Sequence, residues 1–224
     1  MDFKEKFMGV KKLNNKPKII GKRSVFIDKN TVFGSNVVIY PNNIIEGNCV
    51  FGDNVILLPN NYIKDCKIGN NVQIEYSHLV ESSVDDGAVI GPYSRLRPNS
   101  KVGKNCKVGN FVEIKNSSLG DGSKASHLAY IGDADIGENV NIGCGAIFVN
   151  YNKKEKNRSV IGNNAFVGSN VNIIAPVNVA DNTYICAGTT LTKDTNEFDF
   201  VIGRSRETIK PNYAQKYEKK KKEK

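Results

Sequence analysis

Aliphatic and aromatic residues fall on every sixth position over most of this chain. Ile27, Phe33, Ile39, Ile45, Phe51, Leu57 and Ile63 form one run, and Ile90, Leu96, Val102, Val108 and Ile114 a second. Ile161, Val167, Ile173, Val179, Ile185 and Leu191 form a third. Glycine recurs directly after many of them, as at Gly34, Gly52, Gly91, Gly103, Gly109, Gly162 and Gly168. An amphipathic helix repeats at three and four residues and a half-buried strand at two. A sustained period of six predicts instead a coil of short parallel strands, with one aliphatic side chain per flat face pointing inward and Gly, Asn or Asp turning each corner. Coils of that kind stack their inward side chains into a column, so stability is mainly nearest-neighbour. Three separate runs argue against accidental spacing in a generic β-rich domain.

The repeat also divides the chain. Residues 1–24 are charged and irregular, and read as a short helix or arm. Residues 25–195 carry the coil, with register slips near Cys66-Lys67 and around Tyr76–Ser83 that predict five-residue steps or small loops. Residues 196–224 lack the period and predict an irregular or partly helical extension. Within the coil, NKKEKNR at 152–158 is a polar interruption before the repeat restarts. Interruptions of a solenoid commonly lie over a site or a neighbouring subunit.

Composition narrows the class. The chain has 224 residues and a formal net charge of +9, but its last nine residues, KYEKKKKEK, hold six Lys and two Glu and so supply +4. That tail reads as a solvated end. No aromatic-interleaved basic face accompanies the charge, so nucleic acid is not an expected partner. No run of about 18 apolar residues and no apolar leader is present, which predicts a soluble, cytoplasmic protein without a membrane partner. Five scattered cysteines, Cys49, Cys66, Cys106, Cys144 and Cys186, never form CxxC, and are expected to be small buried packers rather than disulfides or zinc ligands.

Candidate chemistry concentrates between Gly109 and Tyr151. Here lie His127, one of two histidines, Lys115, and the polar pair Asn150-Tyr151. Just before it, Arg95 and Arg97 stand two apart, hence on the same face of a strand, which Pro98 closes. The other histidine, His78, lies in a register slip and reads as a surface or turn residue.

The strings RLRP at 95–98, GNFVEIKNS at 109–117, GSKASHLAYIGDADIGENVNIGCG at 122–145, NY at 150–151, VGSNVNIIAPV at 167–177, AGTT at 187–190 and GRSRE at 203–207 closely resemble a known family. It is the acetyltransferase half of bacterial bifunctional N-acetylglucosamine-1-phosphate uridyltransferase/glucosamine-1-phosphate acetyltransferase. The resemblance spans roughly residues 25–210. It implies an all-β fold, the left-handed parallel β-helix of the hexapeptide acyltransferases, assembled as a homotrimer with sites between neighbouring columns. It implies transfer of an acetyl group from acetyl-CoA, as cosubstrate and without a metal, to the amine of glucosamine 1-phosphate. The 24 residues before the coil are too few for a nucleotide-binding domain, so uridylylation is expected of a separate uridyltransferase.

Residue by residue, the resemblance makes His127 the general base, a role that needs a group titrating near neutrality. Glu113 is expected to hold its imidazole in the working tautomer. Arg97, Lys115, Tyr130, Asn141 and Lys156 correspond to sugar and phosphate contacts. Cys144, Asn150, Tyr151, Ser169, Ala187 and Arg204 correspond to acetyl-CoA contacts, with Cys144 at the small residue near the oxyanion and not a nucleophile. Family members commonly read N-Y-D-G where this chain has Asn150-Tyr151-Asn152-Lys153, which predicts a loop of different shape around Lys156. Three other readings stand beside this one: an acyltransferase for another amino sugar or sugar nucleotide, a β-helical zinc hydratase, which needs three histidines, and a non-catalytic scaffold.

Overall fold

A computed structural model of the chain describes residues 15–217, and all its sheet pairing is parallel. The strands are two or three residues long, except Lys107–Lys115 and Lys124–Gly132, which have nine each. They stack into a three-sided column. On one face Val38–Ile39 pairs with Ile56–Leu57, and that with Gln73–Ile74. On the second, Ile44–Glu46, Tyr62–Lys64, His78–Val80 and Arg95–Leu96 follow one another. The third face is a separate sheet of nine strands. The two nine-residue strands run around one corner and join the first two faces into a single sheet of 19 strands.

The residues of period six are the interior. Ile39, Ile45, Leu57, Ile63, Val108, Ile114, Val167, Ile173 and Ile185 have no exposed surface, and Ile27, at the first coil, is half-buried. Outward neighbours alternate with them, as the two-residue alternation of a strand requires. The corners are turned by residues in the left-handed region, Asn in most coils: Asn36, Asn54, Asn71, Asn105 and Asn139 all have φ between 55° and 58°. Asn tolerates this conformation and adds a ladder, in which Asn36 donates to Asn54 at 3.1 Å and Asn54 to Asn71 at 3.1 Å.

The register slips are visible in the pairing. Val38 lies opposite Ile56, eighteen residues on; Ile56 opposite Gln73, seventeen on; and Gln73 opposite Val89, sixteen on. Five-residue sides therefore replace six-residue ones without breaking the ladder. Asn141 lies opposite Phe166, twenty-five residues on, because the 152–158 interruption leaves the column within that coil.

The coil extends past both limits read from the repeat. Lys18–Ile19 already pairs with Val38–Ile39, so the residues just before 25 are coil with a 3-10 turn at Lys22–Ser24, not an arm. At the other end Phe200–Val201 pairs with Tyr184–Ile185. Beyond it the chain is exposed, with a 3-10 turn at Tyr213–Tyr217, as the irregular extension required. Residues 1–14 and most of the lysine tail lie outside the described residues.

Because each side of a coil adds only two inward side chains to the column, as Val55 and Leu57 do, a truncation leaves a cavity that neighbouring coils cannot close. Leu57→Ala is expected to lower the unfolding free energy by about 2–5 kcal/mol in chemical denaturation. A loss below about 1 kcal/mol is incompatible with a rigid column.

Candidate active site

The two nine-residue strands place the histidine. Their register sets Asn110 opposite His127, Glu113 opposite Tyr130, and Lys115 opposite Gly132. Coils approach so closely here that a Cβ on Gly109 would lie 2.0 Å from the Ser126 carbonyl oxygen, so only glycine fits. His127 sits at the corner between the first two faces with its ring exposed, and its Nδ1 lies 2.7 Å from Asn110 Oδ1. An amide oxygen accepts, so this contact fixes a proton on Nδ1 and leaves Nε2 as the basic nitrogen facing outward.

Glu113 does not perform that task. It lies on the next face, where it receives Arg97 at 2.9 Å and Arg95 at 3.6 Å. The shared face expected for the two arginines is thus observed, and it occupies the carboxylate that was expected at the imidazole. The orienting group is Asn110. Its signal was present in the sequence as coil length: seventeen residues separate it from His127, whereas Glu113 falls opposite Tyr130.

Around the next corner the cations collect. Lys115 reaches Asp133 at 3.3 Å, and Asp133 also accepts from Asn116 at 2.5 Å and from Asn150. Burial by itself would raise the Asp133 pKa. The hydrogen bonds from Asn116, Asn150 and Lys115, with the Lys115 charge, outweigh it and hold the carboxyl below its ordinary value. Lys156 comes to the same corner: the adjacent Lys115 ammonium lowers its pKa, and Arg97 adds to the effect. The altered loop after Tyr151 therefore still delivers Lys156 to Lys115. Tyr130 turns the same way, since a Cβ on Gly132 would meet its hydroxyl at 2.5 Å. Asp133 was missed from sequence, although it stands one coil from both Asn116 and Asn150.

The His127 corner continues upward as a lane of small residues. Gly145 N donates to Leu128 O at 2.7 Å, Asn170 N to Cys144 O at 2.8 Å, and Gly188 N to Ser169 O at 2.8 Å. His127, Cys144, Ser169 and Ala187 thus occupy one corner in successive coils, all exposed. Arg204 closes the lane by donating to the Ala187 carbonyl at 3.2 Å. Three coil spacings of about 4.8 Å put Ala187 roughly 14 Å above His127.

Other expectations need amendment. Cys49, Cys66, Cys106 and Cys186 are buried packers, and burial raises the thiols of Cys49 and Cys106 to about 11, but Cys144 is exposed. His78 is a surface residue, as read from the sequence; it lies on the strand His78–Val80 with its ring 4.7 Å from Tyr62. Burial, then Arg95, lowers its pKa. Asn141 lies on the first face beside Lys124 and Phe166, three residues before Cys144 of the lane. Asn150 and Tyr151 stand at the cation corner, apart from the lane of Cys144, Ser169, Ala187 and Arg204. His127 and Gly132 are five strand residues apart, so within one chain roughly 16 Å separates the imidazole corner from the cation corner.

The lowered Asp133 pKa has a sign. The folded value lies below the unfolded one, so its stabilisation is present above the unfolded pKa and lost as pH falls through the folded value. Asp133→Asn should cost about 1–3 kcal/mol at neutral pH, and the deficit should shrink below about pH 4 in urea titrations at a series of pH values. A deficit unchanged in strong acid removes the carboxylate from this account.

Residues 81–116 and 158–193 match the family described as bacterial transferase hexapeptide (six repeats). The chain is 46% identical over 202 residues to the bifunctional protein GlmU of Acetivibrio thermocellus, covering 90% of this chain and 44% of that one. It is 51% identical over 196 residues to that of Caldicellulosiruptor saccharolyticus, covering 88% and 42%. The chain thus spans under half the length of these curated relatives. Among solved structures, a UDP-N-acetylglucosamine acyltransferase from Campylobacter jejuni superposes with a TM-score of 0.61 at 20% identity, over 81% of this chain and 69% of that one. LpxA of Bacteroides fragilis superposes with a TM-score of 0.51 at 22% identity, over 76% and 66%. These two share the fold. With its period of six and its three-sided parallel coil, the chain carries the bacterial transferase hexapeptide repeat over residues 81–116 and 158–193 and is similar to GlmU along most of its own length.

Proposed function

We propose that this coil is a glucosamine-1-phosphate N-acetyltransferase, moving the acetyl group of acetyl-CoA to the 2-amino group of α-D-glucosamine 1-phosphate. The observation that carries this reading is an exposed imidazole, oriented by Asn110, at the foot of the small-residue lane, while the neighbouring corner presents preset cations. The similarity to GlmU along most of the chain supports it.

The lane suits the cosubstrate. Its length of about 14 Å is that of an extended pantetheine arm, about four amide-chain residues at ~3.5 Å each. Small side chains let the arm lie against the column, and Arg204 meets the CoA phosphates at its end. The thioester then lies beside His127. The amine nitrogen bonds to the acetyl carbon, the carbon–sulfur bond breaks, and His127 takes the nitrogen's proton and returns it to the departing CoA sulfur. Arg97, Lys115 and Lys156 hold the sugar phosphate, with Tyr130 and Asn141 as sugar contacts.

Imidazole and cations face different corners of one chain, so a complete site takes the His127 corner of one copy and the cation corner of another, in a homotrimer. A second feature favours assembly. Along the His127 corner, Tyr76, Tyr93, Phe111 and Leu128 occupy left-handed positions with φ of 42–59°, where other coils place Asn42, Asn60, Gly145, Asn170 and Gly188. Bulky residues are costly there, and these four are 39–58% exposed. At about 100 Å² apiece they present about 400 Å², half of what one partner gives to a stable interface.

Free-thiol release from acetyl-CoA is expected only when glucosamine 1-phosphate is added, and His127→Ala should cut turnover by about 10²-fold or more with the coil intact by circular dichroism. Equal release with unphosphorylated glucosamine, or an active His127→Ala, refutes the assignment. Light scattering should give a trimer at micromolar concentration, and Tyr93→Asn/Phe111→Asn should give monomers that keep the coil. A double variant of unchanged mass removes the aromatic column from the interface.

A further inference from the structure

The 152–158 interruption raises a physical problem at its own site. It carries Lys156, exposed, to the Lys115 ammonium with Arg97 nearby; these like charges push it away, and the pull of the Asp133 carboxylate offsets that only in part. Within itself the excursion is ordered. Asn157 N donates to Asn150 O at 2.7 Å, Tyr151 pairs with Lys156 in an antiparallel bridge, and Asn152 Oδ1 accepts from the N–H groups of Lys154 and Glu155. Those bonds shape the excursion without tying it to the column. Two contacts do tie it. At the entering foot Asn150 donates to Asp133. At the leaving foot Arg158 forks onto Asp135, with Nε 2.5 Å from Oδ2 and a second bond to Oδ1. The same guanidinium donates to the carbonyl of Asn116 at 2.9 Å and that of Ala134 at 3.4 Å, so one side chain reaches two earlier coils. Ser118 Oγ holds Asp135 from the coil beneath at 2.8 Å.

We propose that Arg158 is a positioning residue, whose fork on Asp135 holds Lys156 over Lys115 against their mutual repulsion and so keeps a dianion site assembled before ligand arrives. This rests on the phosphosugar reading above for its ligand, but not for its mechanics. Arg158 lies just before the third-face strand Ser159–Ile161, with its guanidinium committed to Asp135, and it is assigned no contact with the sugar. Its planar fork matches the carboxylate in a way the single ammonium of lysine cannot. Preset cations spare the ligand the work of drawing Lys156 in, so loss of the fork weakens capture of the phosphate rather than the chemical step.

Three measurements on the full chain test it. First, Arg158→Gln should raise the KM for glucosamine 1-phosphate about tenfold, leaving kcat and the acetyl-CoA KM within about twofold, with Arg158→Lys between the two. Second, Asp135→Asn should match Arg158→Gln, and the double variant should be no worse than either, as a shared contact requires. Third, tryptic cleavage at Lys153 and Lys154, read by mass spectrometry, should be about tenfold faster in Arg158→Gln than in wild type. Added salt, by screening the repulsion, should narrow that gap. Cleavage unchanged by Arg158→Gln overturns the proposal whether or not acetyl transfer is found, as does a fall in kcat without a change in phosphosugar KM. Faster cleavage in a chain that acetylates no amino sugar leaves the anchor standing and removes only its assigned ligand.

Discussion

The hydrogen-bonded stacking of one coil on the next is the constraint from which the rest follows. Every short strand pairs in parallel with the equivalent strand one coil away, about 4.8 Å above or below. A strand of two residues has no independent stability, and it persists because its inward side chain lies on an identical column. The ladder fixes which residues can meet. A side chain finds its partners at one coil length before and after it, so coils of sixteen, seventeen or eighteen residues choose different neighbours for the same sequence.

The same stacking makes corners the natural place for chemistry. Faces present alternating side chains held flat against their neighbours, whereas corners present backbone turns and side chains that project. The His127 corner combines a pre-oriented imidazole with a lane kept open by Cys144, Gly145, Ser169, Ala187 and Gly188. The next corner gathers cations around one mostly buried carboxylate, Asp133, whose lowered pKa is the result of the three donors that hold it. Between the corners, Tyr130 leans toward the cations, and Glu113 is taken up by two arginines.

The interruption at 152–158 shows how a rigid column acquires an adjustable part. A solenoid admits an insertion wherever the strands on either side still pair, and here Asn141 meets Phe166 as though nothing intervened. What the insertion carries must then be fastened back to the column. Asp133, at the bend before the short strand Ala134–Ile136, and Asp135, on that strand, receive its two feet.

The fold was legible in the sequence because it depends on a period: the aliphatic residues six apart are the buried ones, and the slips near Cys66 and Tyr76 are real changes of coil length. Candidate residues were legible as strings: His127 and Lys156 are exposed, while Lys115 and Arg97 are partly covered in ion pairs with Asp133 and Glu113. Partnerships were not, because they depend on coil length at each place and not on residue type. A carboxylate three residues from the right position was chosen for the histidine where an amide does the work. The ends of the coil were missed because Lys18–Ile19 and Phe200–Val201 pair across a coil without sustaining a run. That the imidazole and the cations stand on different corners was decided only by the tertiary structure, since a linear string cannot say which way the chain has turned between them.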